Sequence, residues 1–284
     1  MSETAEPIEI AGEFREPRNL AAEIKGSIHD DATATRLGLR GGTVAGSVHM
    51  DQFVPLLLDH FGEDWFKTGG MSLYFKQATV DREKVRAFLR PDGDRVRLSM
   101  QNEAGVLVCE GTASLGEDPR SELRQRLEGQ ERSDTSGLRI LRRLKLGPLG
   151  EAAKTRQDAS HTLDRIDTLT EPLAAYRGED PRWKGVVLPP QACVQLFASV
   201  HRTNFDLASK AVGLFGAIEI QFLDGPLFAD TDYTTRATIL ALSESPKTEN
   251  LWYEVTLSDA EDRRPVARML QYLRFMKASS PLYA

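Results

Sequence analysis

The chain has 284 residues, 40% hydrophobic and 27% charged, the balance of a soluble globular protein with enough length for one large domain or two ordinary ones. A net charge of −6 and a pI near 5.5 exclude a nucleic-acid surface built on overall basicity, and no apolar run reaches the length of a membrane span. Cys109 and Cys193 lie in apolar surroundings (VLVCEG and QACVQLF), as reduced thiols of a cytoplasmic protein do; with five scattered histidines they show no zinc-ligand spacing, so no disulfide framework, metal or cofactor is expected.

The acidic N-terminus lacks the apolar segment of a signal peptide, and residues 1–20 read as a polar, proline-punctuated arm with one short strand near Ile8 to Ile10. A short helix follows from about Asp30 to Leu39, capped by Asp30 or Asp31 and ended at Gly38; Gly41-Gly42 then makes a turn. From Ser47, Val48, Phe53, Leu56, Leu57 and Phe61 fall on one broad helical face, with Pro55 marking a kink or a short first turn. Gly62 and Gly69-Gly70 mark loops. The periodicity then changes to two, from MSLYF at 71 through GVLVCEGTASL at 105, with turns at Pro91-Asp92-Gly93 and Asn102-Glu103-Ala104-Gly105. A helix followed by an antiparallel meander is the outline of a curved sheet wrapped around a central helix.

Residues 117 to 150 are rich in Arg, Glu, Ser and Gly and read as a linker that ends in a helical stretch, LRILRRLKLGPLG. Arg139, Arg142, Arg143 and Lys145 there form a solvated charged face or, on a sharper reading, a clamp for phosphates. Beyond the linker the first half repeats. Gly42-Thr43-Val44 and Gln52-Phe53 align with Gly185-Val186-Val187 and Gln195-Leu196 at one offset of 143 (185 minus 42, 195 minus 52), and MSLYF at 71 matches IEIQF at 218. A repeat this long means duplicated domains rather than a solenoid. The boundaries are 1–118 for the first unit, 119–150 for the partly helical linker and 151–284 for the second unit.

Candidate chemistry gathers between Ile24 and Asp59. His29 is suited to proton exchange near neutral pH, backbone N–H groups around Gly46 to holding negative charge on an oxygen, and Asp51 to acting as a carboxylate on the central helix. Each has a plain alternative: His29 braces the short helix, Asp31 caps it, the glycine pair serves a turn, and Asp51 faces solvent. His49 and His201 are lone histidines with no assigned chemistry.

The run Ser27-Ile28-His29-Asp30-Asp31, then Ala34, Gly38, Gly41-Gly42, Val44 and Gly46, resembles the corresponding segment of R-specific enoyl-CoA hydratases and their MaoC-like relatives. His29 matches the family histidine, Asp31 the acid two residues on, and Gly46 the oxyanion-hole glycine. Ile24 stands where the family has its catalytic aspartate, Gly26 where it has asparagine, and Ala45 where it has the histidine before the glycine. The resemblance implies an α+β double hotdog, two tandem units that form a pseudodimer within one chain; any homodimer would be a second level of association. It implies a hydratase or dehydratase acting on an acyl-CoA-type thioester, with His29 moving the proton, Asp31 orienting it and Gly46 donating its N–H. A thioesterase using Asp51 is the alternative, and a noncatalytic acyl-ligand module a third reading. In the second unit Pro172 and Pro189 stand at the places of His29 and Gly46. That unit is therefore expected to supply an apolar wall from Leu188 and Phe197, with Leu196 and Phe215, to one pocket per chain.

Overall fold

The period-two stretches of both halves form strands of one ten-stranded antiparallel sheet, in a computed structural model that describes residues 8–130, 134–198 and 205–284. His201 and the first seven residues of the arm lie outside the described residues. In chain order the first unit holds β1 (Ile10–Arg15), α1 (Asp31–Arg36), α2 (Gly46–Asp51), α3 (Val54–Phe61), α4 (Asp64–Thr68), β2 (Gly69–Phe75), β3 (Val85–Asp92), β4 (Arg95–Asn102) and β5 (Leu107–Leu115). After α5 (Glu122–Leu127) the second unit holds β6 (Gly147–Thr155), α6 (Ala159–Asp164), α7 (Ala174–Arg177), α8 (Pro190–Ala198), β7 (Gly213–Phe222), β8 (Tyr233–Glu244), β9 (Thr248–Asp259) and β10 (Pro265–Met276).

The strand order is β1-β3-β4-β5-β2-β7-β10-β9-β8-β6, so each unit contributes five neighbouring strands and the second half mirrors the first about the β2–β7 seam. Ser72 and Glu219 hold the second place in MSLYF and IEIQF, and they pair directly across that seam. The pseudo-twofold axis of the duplication passes through this pair. Joining the units here turns two open sheet edges into one ladder, which among the described residues leaves β1 and β6 as edges. The two central helices, α2 and α8, pack against each other. One core runs through both units, from Met50, Phe53 and Leu57 to Leu188, Cys193 and Phe197. The double hotdog expected from the sequence is the fold observed.

Local differences from the sequence reading have physical causes. The first strand is Ile10–Arg15 rather than Ile8 to Ile10, because its pairing with β3 begins at Ile10 and Leu89. The central helix of the first unit breaks at Gln52-Phe53: Pro55 has no N–H to return to the Asp51 carbonyl, and instead sits in the first turn of α3. Between Gly62 and Gly69, where a loop was expected, α4 forms because burying Trp65 and Phe66 against Phe222, Tyr176 and Trp183 repays the ordering of one helical turn.

The linker is partly helical, but the helix is α5 and not the LRILRRLK stretch. Leu138, Ile140, Leu141 and Leu144 are buried without helical hydrogen bonding, and the N–H groups of Arg139, Ile140 and Leu141 all donate to the Glu249 carboxylate, each at 2.8 Å. Arg139 lies over the Tyr283 ring and Arg143 pairs with Asp206 at 3.1 Å. Helix α5 docks across the seam on the sheet face opposite the main core. Its Leu123 is buried with Ala217, Trp252 and Leu270, Arg124 bonds Glu219 and Glu254, and Arg126 bonds Glu110 of the other unit. Ser121 caps it, accepting the Arg124 N–H while donating its hydroxyl to Glu219.

Candidate functional site

His29 is positioned by the loop that precedes it. Ser27 accepts the His29 N–H at 3.2 Å, and Asn19 Nδ2 donates to the His29 carbonyl at 2.8 Å. The half-buried imidazole donates from Nδ1 to the Thr43 carbonyl at 2.7 Å. A carbonyl only accepts, so the neutral ring carries its proton on Nδ1 and its basic lone pair on Nε2. Thr43 returns an N–H to the Ile28 carbonyl and pairs with Val80, which fixes the strand-like approach to α2. His29 is thus tied three residues ahead of Gly46.

Asp31 meets the backbone of the glycine turn. It is the first residue of α1, and its Oδ1 accepts the Gly42 N–H at 2.6 Å, pinning the glycine turn to the helix start. The cap position belongs to Asp30, whose carboxylate accepts from the Thr33 hydroxyl. Gly42 is required sterically, since a Cβ there would stand 2.3 Å from the His29 carbonyl oxygen. Gly46 opens α2 behind Ala45, which offers no side-chain cap; the Val48 N–H returns to the Ala45 carbonyl, so the Gly46 and Ser47 N–H groups are the ones left for another acceptor. A Cβ at Gly46 would meet the Phe75 ring at 2.7 Å. We expect Gly46→Ala to cost about 1–3 kcal/mol in urea denaturation by overpacking, and Phe75→Leu to restore most of it; an undiminished midpoint in the single variant would refute this contact.

Asp51, five residues along, lies inside the interface between the two units. It is 1% exposed, and its Oδ1 accepts the Gln191 N–H at the start of α8 at 3.0 Å. Burial pushes its carboxyl up to about 8, with the Gln191 bond only partly offsetting it, so the group is mostly neutral at pH 7. Its Oδ2 and the Tyr176 hydroxyl are both buried without a protein partner among the described residues. Glu171, also raised by burial, is held by Arg15 at 2.5 Å from the first strand. His49 is fully inside as well: Gln52 and Thr79 take its two nitrogens at 3.1 and 2.8 Å, and burial keeps it neutral. These bonds brace α2 against the loop that holds Thr79.

The expected wall residues Leu188 and Phe197 are 1% and 0% exposed and fill the shared core, together with Leu196. Pro189 precedes α8 as Ala45 precedes α2, and the α8 N–H that it leaves at Gln191 goes to Asp51 rather than outward. Sequence reasoning missed Gln191, Tyr176 and Thr43. A backbone carbonyl and a backbone N–H carry no residue-type signal, and the Asp51–Gln191 bond spans 140 residues of chain. Among the described residues no group of three or more His, Cys, Asp or Glu is placed to hold a metal ion, and no helix is long and apolar enough to cross a membrane.

No protein-family model and no curated protein sequence matches the chain. Solved structures do. A protein described as a MaoC domain dehydratase from Chloroflexus aurantiacus superposes with a TM-score of 0.63 at 12% identity, covering 96% of each chain. A Mycobacterium tuberculosis protein with a double hotdog fold gives 0.59 at 11% identity, covering 96% of this chain and 97% of that one. A further structure, described as a MaoC-like dehydratase, gives 0.58 at 11% identity over 96% and 99%. The chain therefore has a MaoC-like double-hotdog fold.

Proposed function

We propose that the chain is a cytoplasmic hydratase or dehydratase-like lyase acting on an acyl-CoA-type thioester, with His29 as the group that moves protons. The observation that carries this reading is the Nδ1–H bond from His29 to the Thr43 carbonyl, which assigns the basic lone pair to Nε2 beside the loop that leads into Gly46. In the hydration direction Nε2 takes a proton from water as its oxygen bonds to Cβ of the enoyl thioester. The electron pair of the double bond moves onto the thioester oxygen, toward the uncapped first N–H groups of α2. The imidazolium then returns the proton to Cα, so one water is added and the ring ends neutral. Ile24 is exposed at the family aspartate's place and the Asp31 carboxylate is engaged by Gly42, which leaves both proton transfers to His29.

A thioesterase reading would make Asp51 the nucleophile or base. A carboxyl that is 1% exposed, mostly neutral and bonded to Gln191 is poorly prepared for either task. The decisive experiment follows the enoyl absorbance of crotonyl-CoA and of a longer enoyl-CoA with wild type and His29→Ala, with a thiol reagent in parallel. We expect wild-type turnover without thiol release and a loss of at least about a hundredfold in kcat/KM for His29→Ala. Equal turnover in the two proteins would remove His29 from the mechanism. Thiol release would favour the thioesterase, and binding without turnover the noncatalytic module.

A further inference from the structure

Among the described residues the ten-stranded sheet ends on β1 at one side and on β6 at the other, strands that hold corresponding places in the two units. The two edges are opposite in charge. Along residues 8–16 Glu9, Glu13 and Glu16 are exposed, and the one base of that stretch, Arg15, is engaged by Glu171. From 142 to 154 Arg142, Arg143, Lys145 and Lys154 are exposed, with Glu151 as the one acid. Arg143 pairs with Asp206, but among the described residues no acid engages Arg142, Lys145 or Lys154, and no base engages Glu9 or Glu16. Each edge also exposes apolar side chains: Ile10 and Phe14 on β1 are 44% and 47% exposed, and Leu146 at the entry to β6 is 57% exposed. Both strands shift register midway, between Ala11 and Phe14 and between Leu149 and Ala153, and Pro148 has no N–H. Backbone pairing alone is therefore interrupted on both edges, and side chains decide what docks there.

We propose that the β1 edge of one copy of this chain docks on the β6 edge of another, so that copies associate head to tail through the ends of their sheets. Charge selects this occupant. Two β1 edges together set glutamates against glutamates, and two β6 edges set cations against cations; β1 on β6 sets Glu9, Glu13 and Glu16 against Arg142, Lys145 and Lys154. Ile10 and Phe14 then leave water against Leu146. The contact repeats between copies what the β2–β7 seam does within one, joining a strand of the first unit to a strand of the second. Because the two surfaces differ, each added copy leaves a free edge of either kind, and growth continues until a ring closes or a filament forms. With few apolar side chains and exposed charges, the association is weak and salt-dependent. This inference does not depend on the chemistry at His29.

Sedimentation velocity of the full chain over a dilution series up to about 200 µM, in about 20 mM and about 500 mM NaCl, tests it. The weight-average sedimentation coefficient of the wild type is expected to rise with concentration at low salt and to fall back to that of the monomer at high salt. Two charge-reversed variants, Glu9→Lys with Glu16→Lys and Arg142→Glu with Lys145→Glu, change side chains that engage no opposite charge within the chain, and thermal melts verify that both fold. Each variant alone should stay monomeric at low salt, since its two edges carry the same sign. An equimolar mixture should regain the association, since each variant presents the edge that the other lacks. A wild type that stays monomeric throughout the low-salt series would overturn the proposal, as would association that survives in both variants or a mixture that stays monomeric. Association lost in the first variant and kept in the second would set β1 against β1, which equally overturns it.

Discussion

Replacing Asp51 by Asn should make the protein more stable, and increasingly so as the pH rises from about 4 to about 8. The carboxyl of Asp51 titrates near 3.8 when solvated and near 8 in the folded protein, where burial penalises its charge. Between those values the folded state keeps a proton that the unfolded chain has released. Stability therefore falls as the pH rises through this window, by up to about 1.4 kcal/mol per pH unit for this one group, and the fall ends above about pH 8, when both states are ionised. At neutral pH the accumulated cost is on the order of 4 kcal/mol. Asparagine keeps an oxygen to accept the Gln191 N–H and has no charge to bury. Urea midpoints for the two proteins should coincide near pH 4 and separate steadily toward pH 8. Parallel curves would mean that Asp51 is solvated in solution and that the contact between α2 and α8 is looser than described here. Glu171 and Glu219, also raised by burial, bend both curves alike, so the difference isolates Asp51.

A buried acid on the two-unit interface was not legible in the chain, and the reason is instructive. Asp51 was read as solvent-facing or catalytic because its neighbours on the helix are its only sequence context, whereas what buries it comes from α8. The features set by local spacing were legible. Alternating residues gave the hairpins of the first unit, the PDG and NEAG turns fell where β3, β4 and β5 meet, and the match of MSLYF to IEIQF marked the two strands that form the seam. His29 stood out as a proton-moving residue or a brace of the short helix; in the structure its Nδ1 meets the Thr43 carbonyl, and the Asp31 carboxylate accepts the Gly42 N–H, and neither contact could be read from local spacing. The LRILRRLK stretch misled because leucines and arginines at helical spacing also suit an irregular segment, provided some other group satisfies its N–H donors. That group is Glu249, more than a hundred residues away.

Glu249 is accordingly the side chain whose removal should damage the fold most. It is wholly buried, accepts three successive backbone N–H groups from Arg139, Ile140 and Leu141, and takes the Tyr283 hydroxyl at 2.6 Å. Burial alone would raise its pKa, but these four donors together outweigh it and hold the carboxylate below its usual range. It thereby fixes three things at once: the linker after α5, the end of the chain at Tyr283, and the start of β9. Truncation to Ala would leave three N–H donors without an acceptor, those of Ile140 and Leu141 buried and that of Arg139 part-buried, a loss of about 3–5 kcal/mol, and would free Leu138, Ile140 and Leu141 from the core that they enter with the second unit. Gln should recover only part of this, because one end of its amide is a donor and repels the N–H that pointed at the second oxygen. The sign with pH is opposite to that of Asp51: the Glu249 contribution is present above the unfolded value of 4.5 and is lost as the pH falls through the lowered folded value. Hydrogen exchange of the 139–141 amides gives the direct readout. They should be protected in wild type and exchange rapidly in Glu249→Ala while the β4–β5 amides of the first unit stay protected. Uniform loss of protection across both units would show instead that the anchor supports the whole double hotdog rather than its linker.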